Sequence, residues 1–178
     1  MPTTHAMPRP AVGEYLPYYD RYIARVPEGD VVAILSEQLA DTRSLLRSID
    51  AERSLRRYAP GKWSMRDVAQ HMIDTERVMT YRAMTIARSD ATPLPGFEEN
   101  DWARVADADR RDWLDLVAEL ETVRAGTIAF FRGLDEQATA RRGSANGAPV
   151  TVRALAFIIA GHERHHVSIL RERYLQHS

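Results

Sequence analysis

The chain has 178 residues, 44% of them hydrophobic, with 24 basic and 25 acidic residues and a formal net charge of −1; this is enough for one domain with its own core. It has no cysteine, which excludes disulfides, cysteine-ligated zinc sites and a thiol nucleophile in the chain itself. The balanced charge argues against a nucleic-acid partner. No apolar run reaches the ~20 residues that span a bilayer. We expect a cytoplasmic protein.

Residues 1–12 contain three prolines and no apolar stretch of the kind found in secretory signals, so we expect a flexible tail. The remaining residues, 13–178, are expected to form one domain. Its first element is a short amphipathic helix within residues 14–25, which ends near Pro27 and Gly29.

Two long helices follow. Asp30 precedes the first as its N-cap, and Ser64 and Asp67 form a capping-box-like start for the second, which runs to about Ile86. Residues 89–100 contain two prolines and a glycine and are therefore predicted to form a loop.

A third long helix is predicted over residues 110–131, and a fourth over residues 151–176 after a connection at 134–150. No segment shows sustained period-2 alternation, so we predict no sheet. The expected fold is all-α, a four-helix bundle with a short extra N-terminal helix.

Three histidines lie on the apolar faces of predicted helices, here called seams. Apolar residues recur at steps of three and four along the last helix, and His162 and His166 fall on that seam, one turn apart. His71 occupies the seam of the second long helix, whereas His165 lies off the seam by about a quarter-turn, as a surface or outer group. Single core histidines are commonly bonded to backbone carbonyls; three on two seams instead favour a shared divalent metal with open coordination positions.

The last helix also contains the pattern H-E-x-x-H, from His162 through Glu163 to His166, which raises the alternative of a zinc peptidase. Ile169 and Glu172 stand where the extended peptidase pattern has glycine and histidine. Only twelve residues follow His166, which leaves little chain for a downstream ligand. The sequence therefore favours another class of metalloenzyme over a zinc peptidase.

Several stretches of the chain resemble the DinB/YfiT-like metalloenzyme superfamily, over roughly residues 14–176. They are 61–68 (GKWSMRDV), 71–77 (HMIDTER), 81–83 (YRA), 92–97 (TPLPGF), 100–101 (ND) and 161–166 (GHERHH). The resemblance implies a four-helix bundle, often a homodimer, that binds zinc or nickel through His71, His162 and His166. Better-understood relatives are S-transferases that use low-molecular-weight thiols such as bacillithiol or mycothiol.

The main hypothesis is therefore a metal-dependent transfer of a low-molecular-weight thiol cosubstrate to a small-molecule electrophile. One alternative is a metal-dependent hydrolase in which Glu163 or Glu76 acts as base, although each fits an acid on the surface or just outside the site better than a base. Another alternative is a metal-binding module without turnover. Asp74 and Thr75 are candidates to orient His71 by hydrogen bonding.

The site is expected to open towards the 89–101 loop. Trp63, Phe97 and Trp102 are candidates for its mouth, with ordinary packing as the alternative. Arg82 lies three turns after His71 on the same face, and we expect it to pair with a neighbouring acid, or else to bind an anionic group.

Overall fold

A computed structural model describes residues 6–176 of the protein, and within that range the chain is built mainly of helices. In chain order the elements are α1 (Asp20–Ile23), α2 (Val31–Arg47), α3 (Met65–Ala87), α4 (Glu99–Ala106), α5 (Trp113–Arg132), α6 (Glu136–Ala140), β1 (Arg142–Ala145), β2 (Ala148–Thr151) and α7 (Val152–Ile169), which continues as a π-helical turn over Leu170–Leu175. Short 3₁₀ turns occur at Pro17–Tyr19, Arg53–Leu55 and Ala108–Arg110. None of the described helices has both the length and the apolarity needed to cross a membrane.

The four long helices α2, α3, α5 and α7 form the predicted bundle. Helix α3 packs against α5 and α7, and α2 packs against the same two helices, so α2 and α3 lie on opposite corners although they are consecutive long helices in the chain. The short helix α1 packs on α7, as the extra N-terminal element. The all-α prediction is confirmed at the level of the bundle.

Helix starts follow the polar residues that the sequence places there. The Asp30 side chain accepts a hydrogen bond from the Val32 backbone N–H. Ser64 and Asp67 form a reciprocal capping box at the start of α3, which fixes the position of the helix that contains His71.

A small hairpin corrects the prediction that the chain has no sheet. Strands β1 and β2 pair in antiparallel fashion around Asn146 and Gly147, which both have positive φ angles, 53° and 74°. Such a turn favours an Asn-Gly pair. The strands are only four residues long and Gly143 and Pro149 interrupt them, so no alternation is visible in the sequence.

The hairpin anchors the segment of residues 89–98 beside the bundle. The Leu94 N–H donates to the Ser144 carbonyl at 3.0 Å, and the Asn146 N–H donates to the Leu94 carbonyl at 2.9 Å. The predicted loop therefore has a defined path, and it leads into α4, a helix that the sequence pattern does not predict.

The described part of the N-terminal segment packs on the bundle. Residues 1–5 and 177–178 lie outside the described residues, but the Met7 side chain is buried in the core. The Arg9 guanidinium donates to the carbonyls of Ile23 and Val26, at the end of α1 and just after it. The segment from Met7 onward therefore contacts the domain, although a flexible tail is expected up to residue 12.

Candidate metal centre

Three imidazoles from two helices converge inside the bundle. His71 comes from α3, and His162 and His166 come from α7. The Nε2 atom of His162 lies 3.0 Å from Nε2 of His71 and 3.1 Å from Nε2 of His166. All three side chains are buried, and their potential ligand atoms lie within 4.8 Å of one another. These are the three residues that the seam pattern selects.

The arrangement of these nitrogens is explained better by a shared metal ion than by hydrogen bonds among the three imidazoles. The Nε2 atom of His162 offers either one proton or one lone pair, so it forms one good hydrogen bond and not two. Three nitrogens held about 2.0–2.1 Å from one ion, at angles between those of an octahedron and a tetrahedron, lie about 2.8–3.4 Å apart. The two observed separations, 3.0 and 3.1 Å, fall in that range.

The protonation states of the histidines also suit metal binding. Burial lowers the pKa of His71 to about 4, with a smaller contribution from the nearby His165. Burial lowers the pKa values of His162 and His166 well below the ordinary value, and the neighbouring imidazoles add to the effect. The three rings are therefore neutral at pH 7, which is the form that binds a metal.

Gly161 permits the close approach of α1 to the site. A Cβ atom at this position would lie only 2.1 Å from the Tyr22 carbonyl oxygen. The Tyr22 ring packs edge-on against the His162 ring, with 5.3 Å between ring centroids. Helix α1 therefore covers one side of the imidazole cluster because residue 161 has no side chain.

Trp63 covers another side of the cluster. Its ring lies against the His71 ring, with 4.9 Å between centroids, and its backbone carbonyl accepts a hydrogen bond from the Tyr174 hydroxyl. Phe97 and Trp102 pack together farther out, at 4.7 Å, and only Phe97 lines the pocket described below. Of the three aromatic candidates, Trp63 and Phe97 thus lie at the site.

A pocket of about 310 Å³ leads from the solvent to His71 and His162. Its walls include Tyr22 and the end of the predicted loop, residues 96–99. An acid that the sequence did not indicate lies here: Glu99, the first residue of α4, places its Oε2 atom 3.7 Å from Nε2 of His71. Burial raises the pKa of Glu99, and the neighbouring Glu98 adds to this.

The two glutamates proposed as bases from the sequence are bound elsewhere. Both carboxylate oxygens of Glu76 accept hydrogen bonds from Arg124, each at 2.8 Å. The Oε2 atom of Glu163 accepts from Arg124 at 2.6 Å and from the Gln38 amide at 2.7 Å. Arg124 is 1% exposed; burial alone would lower its pKa, but the two carboxylates outweigh this and raise it.

This buried ion triad argues against Glu76 and Glu163 as bases. Glu76 has no free oxygen for proton transfer. Glu163 keeps one buried oxygen, Oε1, without a hydrogen-bond partner among the described residues, and it borders a small cavity of about 10 Å³ beside His162. The triad lies in the core and not in the open pocket. This argues against the peptidase alternative, in which Glu163 would face the substrate.

The remaining candidates around the site lie in different surroundings. Thr75 is buried beside the histidines and lines the open pocket, and its hydroxyl has no hydrogen-bond partner in the described part of the chain. Asp74 instead accepts a hydrogen bond from Gln70 at 3.0 Å and does not line the pocket. His165 is half-buried next to His166, with 5.1 Å between ring centroids, outside the converging trio.

The comparison with known proteins agrees with the resemblance found in the sequence. The family model described as the DinB superfamily matches residues 34–170. The chain belongs to the DinB superfamily. A search of curated proteins finds no match.

The fold of this DinB-superfamily protein is similar to that of a solved structure from Bacillus subtilis. That protein, YfiT, is described as a probable metal-dependent hydrolase with an unusual four-helix bundle topology. The match has a TM-score of 0.68 and 20% sequence identity, and it covers 90% of this chain and 92% of that chain. The likeness supports the bundle.

Proposed function

We propose that this protein is a divalent-metal-dependent enzyme in which His71, His162 and His166 hold the ion. The observation that carries the proposal is the convergence of three neutral Nε2 atoms at the end of an open pocket. Three protein ligands leave positions for water or substrate, as catalytic rather than structural sites do. Zinc and nickel both suit a set of nitrogen ligands.

The reaction we propose is the transfer of a low-molecular-weight thiol, of the bacillithiol or mycothiol type, to a small electrophile. A bound divalent metal lowers the pKa of a thiol or a water molecule at its open position. The chain has no cysteine, so the thiol must come from a cosubstrate. The superfamily resemblance supports this choice of reaction.

The residues around the pocket have separate roles in this proposal. Glu99 accepts the proton that the thiol loses, because its Oε2 atom lies 3.7 Å from Nε2 of His71 and burial raises its pKa. Tyr22 and Trp63 pack against the imidazoles and restrict their rotation.

Hydrolysis is the second candidate. The structurally similar YfiT is described as a probable metal-dependent hydrolase, and the same geometry would serve a reaction in which Glu99 removes a proton from water. Glu99 then replaces Glu76 and Glu163 as the proposed base, since Arg124 binds both of those carboxylates.

One set of incubations distinguishes the candidates. The zinc- or nickel-loaded protein is mixed with bacillithiol or mycothiol and the electrophile monochlorobimane, and separately with model esters and amides without thiol. Metal-dependent conjugate formation supports the transferase, and metal-dependent cleavage without thiol supports the hydrolase. Tight stoichiometric metal with neither reaction supports a binding module. Light scattering of the same samples tests the homodimer that the resemblance implies.

A further inference from the structure

Arg82 is a buried cation in the wall of the open pocket. Its side chain is 3% exposed and lines the same pocket as His71 and His162. One guanidinium nitrogen donates to the Pro95 carbonyl at 2.6 Å, and another lies 3.6 Å from the Met79 sulfur. Among residues 6–176 no carboxylate forms an ion pair with it, contrary to the pairing expected from the sequence.

The other buried arginines of the bundle are compensated in different ways. Arg124 binds two carboxylates, those of Glu76 and Glu163. Arg66 donates to three backbone carbonyls and the Ser54 hydroxyl, and it does not line the pocket. Arg82, like Arg66, has no carboxylate partner, but it has only one backbone carbonyl, that of Pro95, together with the Met79 thioether and the Tyr19 hydroxyl.

An unbalanced charge in this position is unfavourable. Burial lowers the pKa of Arg82, and among the described residues the hydrogen bond with the Tyr19 hydroxyl opposes this effect without reversing it. A buried cation needs a counter-charge or a full set of hydrogen bonds to offset the loss of water. A neutral side chain could donate to the Pro95 carbonyl equally well, so that contact alone does not explain the charge.

The residues between Arg82 and the histidines form one stripe along the pocket. His71, Thr75, Met79 and Arg82 follow each other at steps of four, four and three, and all four line the pocket. Eleven residues of α3 separate the first from the last, which is about 16 Å along the helix axis. Along α3 the pocket wall thus presents His71 first, then the Met79 thioether, and then the Arg82 guanidinium, which contacts that thioether.

We propose that Arg82 is an anion-binding subsite, so that the substrate has a carboxylate or similar oxyanion at the end remote from the reacting group. The planar guanidinium matches oxyanions in a bidentate geometry. The acids Glu98 and Glu99 also line the pocket, but Glu99 contacts His71 at the opposite end, and neither pairs with Arg82. The inference rests on the proposed function for the position of the reacting group.

The test uses ω-mercapto acids of six, eight and eleven carbons, each paired with the ω-mercapto alcohol of equal length. Binding to the zinc-loaded protein is measured by calorimetry at pH 7. We expect at least one acid to bind about 10- to 100-fold more tightly than its alcohol, as a charged hydrogen-bonded pair does. The preference disappears in Arg82→Gln and is reduced in Arg82→Lys, which keeps the charge but not the fork.

Arg88→Gln is the matched control, because it removes one positive charge from the exposed end of the same helix. It should keep the full preference for acids. Equal binding of acids and alcohols by the wild-type protein, or an unchanged preference in Arg82→Gln, would overturn the inference. If Arg82→Gln does not fold, as judged by circular dichroism, an unchanged preference in Arg82→Lys overturns it instead.

A second arm separates this inference from the proposed function. Octanoate and octanol are titrated into the metal-free protein, where no metal–sulfur bond contributes. Binding of octanoate that is lost in Arg82→Gln supports the subsite even if the protein takes up no metal. Thiols that bind the metal without any preference for acids would support the metal centre and reject the subsite.

Discussion

His71 and His162 hold their Nε2 atoms 3.0 Å apart although they are 91 residues apart in the chain. The contact is possible because α3 and α7 are packed neighbours in the bundle, and each places candidate metal ligands at the same point. A pair of neutral imidazoles at this distance is compatible with one shared proton, but the third ring at 3.1 Å from His162 makes a shared metal the better explanation.

The first prediction concerns metal content. Replacement of His71, His162 or His166 by alanine should abolish stoichiometric zinc or nickel binding, because two remaining imidazoles do not hold a catalytic ion firmly. His165→Ala is the control and should retain the metal, since that ring lies outside the trio. Elemental analysis after dialysis measures the outcome, and full metal in all three seam variants would reject the centre.

The sequence was sufficient to predict this trio and the four long helices because both depend on periodicity. The same rule applied to α5 would have drawn attention to Arg124, which falls four residues after Leu120 on the buried face of that helix. Glu99 had no such signal: it lies at the start of a short helix whose position is set by Leu94 and the hairpin, at long range. Tyr22 likewise reaches the site through a tertiary contact with Gly161.

The second prediction distinguishes the acids. Glu99→Gln should lower kcat by at least about 100-fold, as loss of a general base does, and should leave zinc content unchanged. Glu163→Gln should keep most of the activity of the folded protein, because Arg124 and Gln38 bind that side chain away from the pocket. Steady-state kinetics with the best substrate from the incubations measures both. The reverse order of effects would restore Glu163 as the base and revive the peptidase-like alternative.

The third prediction concerns the approach of α1 to α7. Gly161→Ala should lower the free energy of unfolding by about 1–3 kcal/mol, since the new methyl group meets the Tyr22 backbone and not a flexible side chain. It should also weaken metal binding, because the Tyr22 ring packs on His162. Gly126→Ala in α5 is the matched control.

Gly126 is also helical, but no atom beyond its chain neighbours and the adjacent helix backbone lies within 4 Å of an added Cβ there. Alanine at that position should leave metal affinity unchanged and raise the free energy of unfolding by about 0.4–1 kcal/mol, because it restricts the unfolded chain. Denaturant titration with and without zinc measures both variants. Equal stability changes for the two substitutions would show that α1 shifts to make room for the methyl group without affecting the site.

The fourth prediction is the pH dependence of the metal-free protein. The folded-state pKa values of the three histidines lie below the unfolded value of about 6.5, with that of His71 at about 4. Between these limits the unfolded chain binds more protons than the folded one, so the free energy of unfolding falls as the pH falls. The stability is fully present above about pH 6.5 and decreases towards pH 4, by up to about 1.4 kcal/mol per pH unit for each histidine.

Denaturant unfolding of the metal-free protein at a series of pH values measures this slope. The triple variant with glutamine at positions 71, 162 and 166 provides the reference, because its carboxylates titrate as before while the three imidazoles are absent. The wild-type protein should lose stability more steeply than the variant from pH 6.5 downward. Parallel curves would mean that the imidazoles are protonated as readily in the folded protein as in water, which contradicts their burial and their readiness to bind a metal at neutral pH.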